Sequence, residues 1–289
     1  MSCAFAAAES LHADDMTQAV REFYDGNVER EWQRLDAPLG QIEFASTLRL
    51  IEKYFPSNGC VCDIGGGPGR YTLELARRGY RMTLVELSEK LLERAQTALG
   101  AAGATAERLL CCDACELSEL PRAHFDAALL LGPLYHLVDP VKRLAALAEL
   151  RRILKPGAVA IVAYLNSWGI LRCGVADFPD GYADLNFARS LLGEKVFTGS
   201  LVGFTECYWA TPPVATREIG EAGFELVGYC GAEGFAGGMR PIIEHIAKEQ
   251  PAAFRNIVHL GAESSELPQY RDATEHLHLV VRNPSDSAG

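Results

Sequence analysis

The chain has 289 residues, 48% hydrophobic and 22% charged, with a mean hydropathy of +0.02: globular composition, enough for one large domain with an elaboration or two modest ones. No apolar run is long enough to span a bilayer, and residues 1–8 lack the basic start and apolar core of a secretory signal, so a cytoplasmic setting is expected. Lys plus Arg 27 against Asp plus Glu 38 gives −11, a poor balance for binding nucleic acid or an anionic membrane; a small-molecule partner is expected instead.

Residues 18–35 place Val20, Tyr24, Val28, Trp32 and Leu35 on one helical stripe, which Gly26 interrupts, and a second helix over 41–54 ends before Pro56. From Gly59 strand-like and helix-like segments alternate. Strands are predicted at 60–64, 80–86, 107–112, 125–131 and 158–164. Helices are predicted at 70–78, at 88–99 behind a Ser88 cap, and at 140–154 before Pro156-Gly157. That alternation means a parallel sheet with helices on both faces. Residues 165–210 break the rhythm and are rich in aromatics. A helix over 211–223, a strand over 224–229, a long partly helical connection and a last strand over 276–281, free to insert antiparallel, complete the chain. The expected organisation is an N-terminal helical segment (1–58), a first half of the core (59–164), an insertion (165–210), a second half (211–282) and a loose tail (283–289).

Nine cysteines in a chain with no export signal read as thiols. Cys111, Cys112 and Cys115, with Cys60 and Cys62 nearby, form the one cluster suggestive of a metal. They lack the two separated pairs of a structural zinc site, so no metal is expected.

The sharpest motif is DIGGGPG at 63–69, directly after a strand and opening a helix. Asp63 precedes glycines at 65, 67 and 69, and glycine allows both a tight turn and close approach of backbone to a ligand. The helix start beyond it offers unpaired N–H groups. The third glycine of a nicotinamide fingerprint would fall at Arg70, so that reading fails. Glu86, at the end of the second strand, can accept both hydroxyl hydrogens of a ribose lying over the loop. Asp113, in CDA at 112–114, can bond an exocyclic amine, or simply form an Asx turn. These three acidic positions end three consecutive strands, where open α/β sheets bind ligands.

With FDAALLLGPLYHL (125–137) and LKPGAVAIV (154–162), these segments closely resemble the class I S-adenosylmethionine-dependent methyltransferases of small-molecule type, over roughly 40–164 and 211–282. The resemblance implies a Rossmann-like, mostly parallel seven-stranded sheet in the order 3-2-1-4-5-7-6, with N-terminal helices and the aromatic-rich insertion as a cover. It implies S-adenosylmethionine as cofactor, bound by Asp63, Gly65, Gly67, Glu86, Leu87, Asp113, Ala114 and Leu131. Tyr24 either closes over the methionine end or anchors the core. The Asp/Asn-Pro-Pro-aromatic motif of amino-methylating nucleic-acid enzymes is absent. The acceptor is therefore expected to be small and partly apolar or aromatic, its nucleophilic atom open.

GPLYHL follows the fourth strand and overlooks the expected methyl position. His136 is read either as a general base or as a packing residue, Tyr135 as a pocket wall. Methyl transfer from a sulfonium needs alignment and desolvation more than a base. Within the insertion, Trp168, Phe178, Tyr182, Phe187, Phe197, Phe204, Tyr208 and Trp209 are read as a cover over the acceptor or as a satellite apolar cluster. Trp168 and Tyr208 are the substrate candidates, with Asn166 and Glu206 as polar ones. Two rivals remain: non-methylating use of the cofactor, and a non-catalytic binding subunit.

Overall fold

A computed structural model describes residues 13–198 and 205–285; Phe204 and residues 286–289 of the expected tail lie outside them. Gly26 and Asn27 split the first stripe into α1 (Ala13–Gly26) and α2 (Val28–Arg34), where Asn27 Nδ2 donates to the Phe23 carbonyl at 2.7 Å. α3 (Pro38–Tyr54) begins with proline, which fits a first turn whose N–H has no helical partner.

The alternating region gives β1 (Cys60–Ile64), α4 (Arg70–Arg77), β2 (Arg81–Glu86), α5 (Glu89–Ala101), β3 (Arg108–Cys111) and β4 (Phe125–Leu130). A one-turn helix α6 (Pro133–His136), α7 (Pro140–Ile153) and β5 (Leu154–Asn166) follow. Ser88 caps α5 as expected, its Oγ accepting from Leu91 N at 3.1 Å. The insertion folds as α8 (Ser167–Asp177), α9 (Leu185–Ser190), β6 (Lys195–Phe197) and β7 (Cys207–Ala210). The remainder is α10 (Pro212–Glu221), β8 (Glu225–Gly231), α11 (Arg240–Glu249), α12 (Pro251–Ser264), α13 (Pro268–Arg271) and β9 (His276–Arg282).

Among the described residues the sheet has nine strands, against the seven expected. Its core order is β3-β2-β1-β4-β5-β9-β8, with β1 to β5 parallel, β9 antiparallel to β5, and β8 antiparallel to β9. The two additional strands come from the insertion. β7 pairs parallel with the tip of β5 (Leu165 with Trp209, Asn166 with Ala210), and β6 pairs antiparallel with β7. Leu165 already uses its other edge on His276 of β9, so β7 occupies the β4 side, beyond the point where β4 stops. The insertion therefore stands over the carboxyl end of β4.

β5 also starts earlier than predicted, at Leu154 rather than at 158. Leu154 pairs with Phe125 and Val159 with Ala127, and the register shift between them absorbs Pro156 and Gly157. A bulge tolerates a proline that cannot donate to the ladder.

Two apolar layers cover the sheet. On one face Leu147, Leu150 and Ile153 of α7 and Ala215 and Ile219 of α10 pack against Cys62, Ala128 and Val162. On the other, Leu50 and Ile51 of α3 and Tyr71 and Leu75 of α4 meet Val61, Ala127 and Ile161. The strand order reverses between β1 and β4, which opens a crevice above their carboxyl ends.

Candidate functional site

The glycine loop occupies that crevice. Gly65 and Gly67 have φ of +66° and +56°, the left-handed region that glycine enters at little cost. A β-carbon on Gly65 would strike Pro133 at 2.5 Å, whereas one on Gly67 would meet no atom within 4 Å and would project into open space. Gly66 is also required, because a β-carbon there would collide with Asp63 and Leu84 at 2.5 Å.

Asp63, 1% exposed, accepts from Thr72 Oγ1 at 2.7 Å through Oδ2, while its buried Oδ1 has no partner among the described residues. Burial pushes its carboxyl up to about 6. Glu86 is tied down more fully. Oε1 accepts from Leu87 N (2.8 Å) and Ser88 N (3.0 Å), and Oε2 from Gly67 N (2.9 Å). Burial raises its pKa and these three donors oppose the rise. Glu86 thus fixes the loop's shape while its carboxylate faces the cavity. Asp113 forms the anticipated Asx turn, Oδ1 accepting from Cys115 N at 2.8 Å, and still lines the cavity.

That cavity, of about 430 Å³, runs from Asp63, Gly65, Gly67 and Glu86 past Leu87, Asp113, Ala114 and Leu131 to Tyr24, Tyr135 and His136. Trp168 and Tyr208 do not line it. Trp168 Nε1 donates to the Leu192 carbonyl at 2.9 Å within the insertion, and Tyr208 packs its ring on the Arg143 guanidinium with its hydroxyl on Glu194. The polar atoms of both residues are engaged in bonds inside the protein. Phe178, Phe197 and Trp209 form an apolar cluster of their own, with Phe197 stacked on Trp209 at 4.7 Å. Asn166 caps α8 through Trp168 N.

α1 lines one side of the cavity. Tyr24 Oη lies 2.7 Å from His136 Nε2, and His136 Nδ1 lies 2.9 Å from Thr205 Oγ1. Burial holds the Tyr24 phenol protonated and drives His136 down to about 3, so the imidazole is neutral. The phenol then donates to Nε2, and Nδ1–H donates to Thr205, whose own hydroxyl donates to the Glu206 carbonyl (3.2 Å). Asp25 Oδ1 accepts from Ser88 Oγ at 2.5 Å, fastening the end of α1 to the start of α5.

Sequence reasoning missed the basic wall of this cavity. Arg34 lines it, held from behind by Glu43 through two bonds of 2.6 and 3.0 Å. Glu43 in turn is held down to about 2 by Arg34 and His276. Glu31 lies 3.8 Å from Arg34 on the same helix. The one available sign was a carboxylate and a guanidinium on successive helices, which is common on solvated faces.

Residues 61–157 match a family model described as a methyltransferase domain. The chain is similar to the tRNA 5-carboxymethoxyuridine methyltransferase of Escherichia coli K12, at 23% identity over 88% of this chain and 86% of that protein. It is also similar, at 35% identity over 37% of this chain and 40% of the other, to the ubiquinone biosynthesis O-methyltransferase of Caulobacter vibrioides. This is an S-adenosylmethionine-dependent methyltransferase. Its fold matches that of the Burkholderia thailandensis 1,6-didemethyltoxoflavin-N1-methyltransferase, solved with 1,6-didemethyltoxoflavin and S-adenosylhomocysteine. The TM-score is 0.61 at 16% identity over 97% of this chain and 94% of that one.

The methyltransferase's own residues fit the cofactor. Asp63 Oδ1 is buried without a donor among the described residues, Gly67 leaves room beside its backbone, and Glu86 lines the same space. Glu86→Gln keeps the shape but sets an amide against three backbone donors. Cofactor binding is expected to weaken by about 1–3 kcal/mol, the range for hydrogen bonds to a charged group. Calorimetry checks this; an unchanged affinity would remove Glu86 from the site. No helix among the described residues is long and apolar enough to cross a membrane.

Proposed function

We propose that the enzyme methylates a small, partly apolar or aromatic acceptor held at the Tyr24–Tyr135–His136 end of the cavity. The observation that supports this reading is the one continuous cavity running from the glycine loop to these rings, with Tyr24 of α1 against His136. S-adenosylmethionine, when bound, supplies a methyl group already activated on sulfur. The chain's residues then hold, align and dry. Gly65, Gly67, Leu87, Ala114 and Leu131 shape the cofactor's bed, Glu86 takes the ribose hydroxyls, and Asp113 the adenine amine. Tyr135, 9% exposed with its hydroxyl on the Leu131 carbonyl, serves as a wall.

His136 acts through position rather than as a proton carrier. A group driven down to about 3 is already neutral at physiological pH, and its Nε2 receives the Tyr24 proton. Its contribution to the rate is therefore flat between about pH 5 and 8, without the inflection of an ordinary histidine near 6.5. His136→Asn should keep most turnover and move the acceptor KM more than kcat. An inflection near 6.5 that vanishes in His136→Ala would restore the base.

The near full-length similarity to a tRNA enzyme favours a second reading, in which the acceptor is a modified nucleoside in RNA. Labelled S-adenosylmethionine incubated with a metabolite extract or with total tRNA separates the two. Label in the small-molecule fraction supports the first reading, and label in tRNA alone replaces it. Cofactor consumption without methylated product would indicate non-methylating chemistry.

A further inference from the structure

A second cavity is lined by Leu165, Ile170, Cys173, Asp177, Phe178 and Trp209 among others. Cys173 and Asp177 sit four residues apart on α8, hence on one face of that helix. Glu275 reaches them from the residue preceding β9. A ligand atom from each of the three lies within 4.8 Å of the others. Cys173 is 5% exposed and Glu275 6% exposed. Glu275 Oε1 accepts from Gly238 N at 3.3 Å, but its buried Oε2 has no partner among the described residues. Such an oxygen is expensive to bury unless something satisfies it.

We propose that Cys173, Asp177 and Glu275 bind a zinc-class divalent cation. One sulfur and two carboxylate oxygens suit a borderline cation better than magnesium or calcium, which prefer all-oxygen sites. The charges also close. A thiolate and two carboxylates carry −3, and a divalent ion with the Arg240 guanidinium, whose Nε is 3.1 Å from Asp177 Oδ2, supplies +3. Neighbouring Glu233 is already matched by His276, Oε1 to Nδ1 at 2.6 Å, and makes no further demand. Three protein ligands leave a fourth tetrahedral position, and the cavity beside Cys173 and Asp177 is where water or a ligand's anionic group would take it. The ion would fasten α8 of the insertion to the start of β9, independently of which acceptor is methylated.

The test is a cobalt titration of the full chain after chelator treatment and desalting. A thiolate-to-cobalt charge-transfer absorption is expected to saturate at one equivalent and to be abolished by added zinc. Cys173→Ser should lose the band, Glu275→Gln should weaken cobalt binding at least tenfold, and Cys112→Ser should leave both unchanged. The last variant matters because the exposed Cys111 and its neighbours Cys112 and Cys115 offer competing thiols. Circular dichroism confirms that the variants are folded, and Glu275→Gln remains decisive should Cys173→Ser not fold. Absence of a band at one equivalent, its persistence in Cys173→Ser, or undiminished affinity in Glu275→Gln would each overturn the site.

Discussion

Gly67→Val is expected to bind S-adenosylmethionine at least a hundredfold more weakly, about 2.8 kcal/mol, while remaining folded. Two separate effects combine. The residue sits at φ +56°, where a side chain costs roughly 1–2 kcal/mol of backbone strain and a β-branched one more. The new β-carbon meets no protein atom within 4 Å, so it stands in space the cofactor needs rather than inside the core. Gly67→Ala should show a smaller loss of the same kind. Calorimetry with the cofactor, alongside a thermal melt, checks both points. A folded valine variant of unchanged affinity would show that this loop does not hold the cofactor.

Arg143→Met is expected to be the most destabilising of the substitutions considered, at about 3–5 kcal/mol. Arg143 and Glu218 are 3% and 6% exposed, joined by bonds of 2.9 and 2.7 Å to one carboxylate oxygen. The second oxygen accepts from Tyr164 at 2.9 Å. Removing the guanidinium strands a buried carboxylate. It also frees the Leu137 and Val138 carbonyls, held at 2.8 and 3.0 Å, which directly follow His136. The face of Tyr208, 3.7 Å away, loses its cation as well. Melting should fall by roughly 10 °C, from the 2–4 °C per kcal/mol usual for chains of this general size. Pairing it with Glu218→Gln should recover much of the loss, because the stranded charge is gone while the amide oxygen can still accept from Tyr164. Equal losses in the single and double variants would mean that no stranded charge is responsible.

The glycine-loop end of the cavity was legible because its residues lie close together in sequence. A run of glycines, Glu86 at a strand end and Asp113 at the next each declare themselves within a few residues, and the alternation of strands and helices places them on one edge of the sheet. The Tyr24–His136 end was less legible because it is assembled across long separations. Arg34 gains its meaning from Glu43 behind it, and His136 from Tyr24 on another helix. Arg143 and Glu218, which hold the turn after His136, are 75 residues apart. The insertion is hard to read for a different reason. Aromatic density reports apolar burial, but not what the rings are buried against. Trp168 and Tyr208 satisfy partners inside the protein instead of facing the cavity. The strand count failed because a three-residue strand such as β6 carries no periodic signal of its own.

The place where the insertion leaves and rejoins the sheet has an evolutionary consequence. Asn166 and Ala210 are backbone partners, so the excursion between them is a loop whose mouth is already shut by ladder bonds. The entropy of closing such a loop grows only slowly with its length. Segments can therefore be lost, gained or exchanged there while the registers of β1 to β4 are left untouched. A lineage carrying this architecture can remodel that one excursion freely and inherit the β1 to β4 half of the sheet intact.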